Sequence, residues 1–125
     1  MNGGAGQAEQ AEQRKEKRLY CDWVIWLTDD VTQKRYHGMI HDLSSGGVAF
    51  ICHADDDFPQ QDQNIMTYFY IPKESGDPYK VTRSGSVCRV NELDKFVRKV
   101  HVKFDEPLSF KPAELKSIAV SINEN

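Results

Sequence analysis

Apolar side chains recur at every second position over much of this chain. Cys21, Trp23, Ile25 and Leu27 alternate with more exposed positions, the period of a half-buried β-strand that starts near Tyr20. Thr28-Asp29-Asp30 reads as a turn, and a second strand is expected from about Lys34 to Leu43. Ser44-Ser45-Gly46-Gly47 predicts a tight turn in which the glycines permit positive φ. Val48–Cys52 resumes as a strand, and the acidic stretch Ala54–Asp62, with Pro59 inside it, as a loop. Ile65–Ile71 is strand-like until Pro72 stops it, and Lys73–Pro78 makes a second loop. Lys80–Val90 is a long strand in which Gly85 marks either a bulge or a sharp bend. Phe96, Val100, Val102 and Phe104 predict a sixth strand, interrupted on one face by Arg98 and ended by Pro107. Pro112-Ala113-Glu114 then opens a helix, with Leu115, Ile118, Ala119 and Ile122 on its apolar side.

Six short strands followed by a helix predict an all-β fold with a C-terminal helix. The expected architecture is a closed six-stranded antiparallel β-barrel, with the helix over one opening. Closure also removes unpaired strand edges. The expected organisation is a flexible polar tail over 1–13, a basic arm over 14–19, the barrel over 20–106 and a helical segment over 107–125. A length of 125 residues suits one domain able to bury a core without staples.

Composition narrows the function classes. The chain is 39 % apolar and 28 % charged, with a net charge of −3. This balance argues against a dedicated DNA- or RNA-binding domain. Cys21, Cys52 and Cys88 lie far apart, without a C-x-x-C pair or zinc-like spacing, and are expected as small buried hydrophobes in a reducing compartment. No run is long enough to span a membrane, and the polar N-terminus lacks the apolar core of a signal peptide, so a cytoplasmic protein is expected. The four histidines, His37, His41, His53 and His101, are expected in surface or packing roles rather than on a metal. Asp55-Asp56-Asp57 lacks the spaced oxygens and glycine of a calcium loop. Trp23 is expected in the core and Trp26 on the opposite face; Tyr68 and Tyr70 share a face as packing or docking aromatics. No nucleophile and base are arranged for catalysis, so neither an enzyme nor a cofactor is expected.

Two clusters remain that carry chemistry. Arg14-Lys15-Glu16-Lys17-Arg18 places two arginines four apart before the first strand. A guanidinium grips phosphate through paired hydrogen bonds, stacks on a purine and stays charged. Asp42-Leu43-Ser44-Ser45-Gly46-Gly47 follows at a strand end. A carboxylate there accepts from guanine N1–H and N2–H, a serine hydroxyl adds a bond, and glycine lets backbone approach closely. Together they suit a ligand that carries both phosphates and guanines. Either cluster alone has a plain reading, a solvated basic face or a side-chain-capped turn.

In order and spacing, Arg14-x-x-x-Arg18 and Asp42-x-Ser44-x-x-Gly47 resemble the paired motifs of the PilZ domain family. Gly38–Ser44, Gly85–Val90 and Val100–Phe104 are similar to that family's strands, although the family often has Gly where His101 stands. The resemblance spans roughly Arg14 to Ile122. It implies a barrel that binds cyclic di-GMP. Arg14 and Arg18 would hold phosphate and guanine, Asp42 would read a guanine, Ser44 would add a hydrogen bond and Gly47 would keep the turn open. Arg83, Ser86 and Arg89 are candidates for supporting the second base. The residue before the first arginine is Gln13, which leaves open one ligand molecule or an intercalated pair. The resemblance also implies a protein effector, which the sequence does not identify, and a monomer is expected. Two other readings compete. One is a PilZ-like interaction module that binds no nucleotide. The other is a small barrel that binds single-stranded nucleic acid, which the acidic balance disfavours.

Overall fold

The computed structural model describes residues 16–55, 58–73 and 75–115. The tail expected over 1–13, and Arg14, lie outside the described residues. Among the described residues seven strands form: β1 (Leu19–Tyr20), β2 (Val24–Asp29), β3 (Arg35–Leu43), β4 (Gly47–His53), β5 (Asn64–Ile71), β6 (Tyr79–Glu92) and β7 (Val97–Phe104). Neighbours run β3-β2-β5-β6-β7-β4, and pairing of β4 back onto β3 closes a six-stranded barrel. Every pairing is antiparallel. The small β1 lies beside the end of β3, in line with β2. The single first strand read from the sequence is therefore broken at Cys21–Trp23, where Cys21 N–H still donates to the His41 carbonyl at 3.3 Å.

Alternation is what fills the barrel. Ile25, Leu27, Ile40, Leu43, Phe50, Phe69, Ile71, Val87 and Val100 are almost wholly buried and point inward together. Burying each such side chain contributes about 1.5–3 kcal/mol. Trp23 packs against this core, whereas Trp26 lies outside and stacks on Tyr68 at 5.2 Å between ring centres. The Ala54–Asp62 loop sends Phe58 into the interior, where it stacks on Tyr36 at 4.1 Å. Hairpin β2–β3 turns on Asp29, whose carboxylate accepts from the Thr32 hydroxyl at 2.6 Å and the Thr32 N–H at 3.2 Å.

Three local expectations change. The helix expected from Pro112 is a 3-10 turn, Pro112–Glu114, among the described residues; the remainder, with Ile118, Ala119 and Ile122, lies outside them. Lys111 provides no side-chain cap, and Leu115 leaves helical geometry at ψ 75°. In the described segment Leu108 and Pro112 are buried, and Phe110 and Leu115 pack against the core. The bulge in β6 falls between Val87 and Arg89 rather than at Gly85. Gly85 is instead a close approach, because a Cβ there would sit 2.5 Å from the Lys103 carbonyl oxygen. Gly46 and Gly47 are not left-handed; Gly76 is the described glycine with positive φ. Gly47 is needed for space, since a Cβ would run into the Val102 carbonyl oxygen.

These packing constraints predict two losses of stability in urea melts. Phe50→Ala, at a fully buried side chain, should cost about 3–5 kcal/mol. Gly85→Ala should cost about 1–3 kcal/mol through overpacking against β7. A Gly85→Ala protein as stable as the parent would show that the β6–β7 contact yields freely.

Candidate functional site

Register positions the site. In antiparallel strands, directly opposite residues share a face. Ile40 pairs with Phe50 and faces the core, so simple alternation would send Asp42 inward too. A one-residue shift between Ile40 and Asp42 instead pairs Asp42 with Ala49 and gives Leu43 the inward place opposite Val48. The second bulge, at Cys88, does the same for Arg89, which pairs with His101. The result is one outward row across five strands: Tyr20, Asp42, Ala49, His101 and Arg89. Bulges commonly re-aim side chains in this way.

The arm lies over this row. Arg18 Nη1 donates to Asp42 Oδ1 at 2.9 Å, joining residues 24 apart in sequence. The Asp42 side chain is 7 % exposed and the Arg18 side chain 55 %. Asp42 is thus covered yet paired, while Arg18 keeps most of its surface for another partner. Two residues earlier in the chain, Glu16 reaches the Asp42–Gly47 turn. Its Oε2 accepts from Ser45 N–H and its Oε1 from the Ser45 hydroxyl, each at 2.6 Å.

The turn itself is pinned from behind. The Ser45 carbonyl accepts from Leu108 N–H at 2.7 Å and the Gly46 carbonyl from Phe104 N–H at 2.9 Å. Ser44 N–H donates to the Gly47 carbonyl at 3.0 Å, and the Ser44 hydroxyl reaches the same oxygen at 3.4 Å. Between arm and turn lies a cleft of about 470 Å³ whose lining includes Glu16, Arg18, Ser44, Ser45, His101 and Lys103, together with Cys88 and Pro107. Its size falls within the range of small-molecule sites. Burial, then the nearby cations Lys99 and Arg89, hold the His101 imidazole below its usual pKa. The shift favours the neutral imidazole, which both donates and accepts, over a third cation.

Of the residues singled out in the sequence, Arg18, Asp42, Ser44 and Gly47 come together here. Arg14 lies outside the described residues. Arg89 belongs to the outward row, and Ser86 pairs with Lys103 beside it. Arg83 is elsewhere. It pairs with the fully buried Thr67 and borders a different cleft with Met66, Asp105 and Glu106. Sequence reasoning does not mark Glu16, Ser45, His101 or Lys103 as site residues. Their signal lies in strand register and in one contact across 29 residues, neither of which periodicity displays. Among the described residues no group of three His, Cys, Asp or Glu side chains is placed to hold a metal.

A family model for the PilZ domain matches residues 12–117. No curated protein matches the chain by sequence. Solved structures of similar fold include the PilZ domain of YcgR from Escherichia coli with c-di-GMP, at 11 % identity and TM-score 0.61 over 86 % of this chain and 89 % of that one. The Bacillus subtilis inhibitor of motility MotI/DgrA is similar at 16 % identity and TM-score 0.60, over 86 % of this chain and 48 % of its own. PlzA of Borreliella burgdorferi, in complex with c-di-GMP, is similar at 13 % identity and TM-score 0.53, over 95 % of this chain and 54 % of its own. The chain thus spans about half the length of the latter two.

The three cysteines separate by reactivity. Burial pushes the Cys21 thiol up to about 12 and the Cys52 thiol to about 11, whereas Cys88 is exposed and lines the cleft. Brief treatment with iodoacetamide at pH 7.5 should alkylate Cys88 first, since the thiolate is the attacking form. Peptide mass spectrometry showing Cys21 or Cys52 modified as fast would contradict this burial pattern.

Proposed function

The chain belongs to the PilZ domain family, and on that premise we propose that it is a cyclic di-GMP receptor that relays binding to a protein partner through its arginine arm. The observation that carries the reading is the Arg18–Asp42 pair, which ties the basic arm to the first residue of the Asp-x-Ser-x-x-Gly turn, beside the cleft that Arg18, Ser44 and Gly47 line. Family membership and the c-di-GMP-bound PilZ structures of YcgR and PlzA support the choice of ligand. MotI/DgrA, an inhibitor of motility, supports a signalling role without naming a partner for this chain.

In this mechanism Arg14 and Arg18 hold phosphate oxygens and guanine edges or faces. Asp42 accepts from guanine N1–H and N2–H, Ser44 adds a hydroxyl, and Gly47 leaves room for the approach. Arg89, in the same outward row, and Ser86 beside it are the nearer candidates for the second base. Arg83 reaches the ligand only if the dinucleotide extends beyond the cleft described above. Arg18 must exchange at least part of its bond to Asp42 for bonds to ligand, so the arm repositions as the nucleotide enters. That repositioning changes the surface shown to a protein effector. The protein acts as a sensor and not an enzyme. No described helix is long and apolar enough to cross a membrane. The state assigned to the receptor in this reading is a cytoplasmic monomer.

Calorimetric titration tests this directly. Cyclic di-GMP should bind, while GTP and a short oligonucleotide should not. Arg14→Ala and Arg18→Ala should each weaken binding by roughly tenfold or more, the value of one charge-assisted hydrogen bond. Thermal melts should show both variants still folded, with a modest loss for Arg18→Ala, which removes the partner of the covered Asp42 carboxylate. Unchanged affinity in both variants would sink the site assignment. A folded parent that binds none of the three ligands would favour an interaction module without nucleotide.

A further inference from the structure

Ser45 is one of the turn residues that the motif leaves unassigned. Its N–H and its hydroxyl point the same way and meet the two oxygens of one carboxylate. Two donors converging at 2.6 Å on a single anion are the arrangement that recognises an oxyanion. The donors are preorganised, because the Ser45 and Gly46 carbonyls behind them are tied to Leu108 and Phe104. The surroundings suit an anion as well: Arg18 and Lys103 line the same cleft, and Glu16 is the one acidic side chain in its described lining. We propose that the Ser45 N–H and hydroxyl form an oxyanion subsite, filled in this structure by the chain's own Glu16 and taken over by a phosphate oxygen of the ligand. The choice of a cyclic dinucleotide phosphate rests on the receptor reading above; the subsite itself rests on the Ser45 geometry.

Glu16 lies between the two motif arginines, so exchange at Ser45 and exchange at Asp42 move the same short segment. The carboxylate and a ligand phosphate cannot share the donors. Glu16 is then a built-in competitor that sets how much ligand is needed to move the arm. A residue that merely held the arm in a binding-competent position would act in the opposite direction, since its loss would weaken binding.

The test is a double-mutant cycle on the full chain with Glu16→Ala and Ser45→Ala, read by calorimetry with cyclic di-GMP. Glu16→Ala should tighten binding about tenfold, as one charge-assisted competitor is removed. Ser45→Ala should change affinity less than about twofold in the parent, where the hydroxyl trades one anion for another, and about five- to tenfold in the Glu16→Ala background. Unchanged or weaker binding by Glu16→Ala, with an unaltered melt, overturns the proposal. A second readout separates this outcome from failure of the receptor reading. Inorganic pyrophosphate added to the Glu16→Ala protein should shift the Ser45 amide resonance in a nitrogen–proton spectrum, and should shift it less in the parent. If cyclic di-GMP binds neither protein but that shift occurs, the subsite stands and the receptor reading falls. No shift in either protein, together with no effect of Glu16→Ala on affinity, removes the subsite.

Discussion

The direction in which Asp42 faces depends on one extra residue in β3. Without the shift between Ile40 and Asp42, a carboxylate would point into a core lined by Phe50, Val100 and Leu27. An unpaired charge there costs far more than the local irregularity of a bulge. The bulge turns Asp42 outward and lets Leu43 take the apolar place opposite Val48. The matching bulge at Cys88 keeps Arg89 in step across the sheet. Both devices are local, yet between them they create the row on which the arm rests. The core and the candidate site are therefore two consequences of the same register.

The turn and the arm differ in how they are held. The turn carries backbone hydrogen bonds to Phe104 and Leu108, and a Cβ at Gly47 would collide with β7. The described part of the arm is fastened through side chains, Arg18 on Asp42 and Glu16 on Ser45. Ordering a residue of free chain costs about 1–2 kcal/mol, and a charged hydrogen bond returns roughly 1.5–3 kcal/mol. Two such anchors are enough to hold a few residues but leave no large surplus. Side-chain anchors of this size can be exchanged for others without disturbing the barrel.

Much of the barrel is legible in the sequence because alternation is a direct image of burial. Ile25 and Leu27, or Phe69 and Ile71, announce an inward face by their spacing alone. The break between β1 and β2 is not legible, because Cys21 and Trp23 continue the alternation while the ladder pauses. Phe58 escapes for a different reason: a lone aromatic in an acidic loop belongs to no period. Reading Gly46 and Gly47 as left-handed assigns glycine its conformational freedom where, at Gly47, its small size is what matters. At the site, the motif spacing marks Arg18 and Asp42, but it carries nothing about Glu16 and Ser45. Their contact follows from how the arm crosses the turn, which is a property of the closed barrel and not of either segment.

The self-satisfied site has a consequence for selectivity on the reading proposed above. Arg18 and the Ser45 donors already have charged partners, so a ligand gains only the difference between new bonds and old. A lone phosphate that displaced Glu16 would loosen the arm without offering Asp42 a new donor. A lone guanine competing for Asp42 would strand the guanidinium without an anion. A ligand that brings phosphate and guanine together can replace both contacts in one event, returning a partner to every group it displaces. Because the two anchors sit on a segment of three residues, releasing one loosens the other. Exchange is then cooperative along the arm, and a dinucleotide is favoured over its parts by the geometry of the displaced bonds as much as by the bonds it makes.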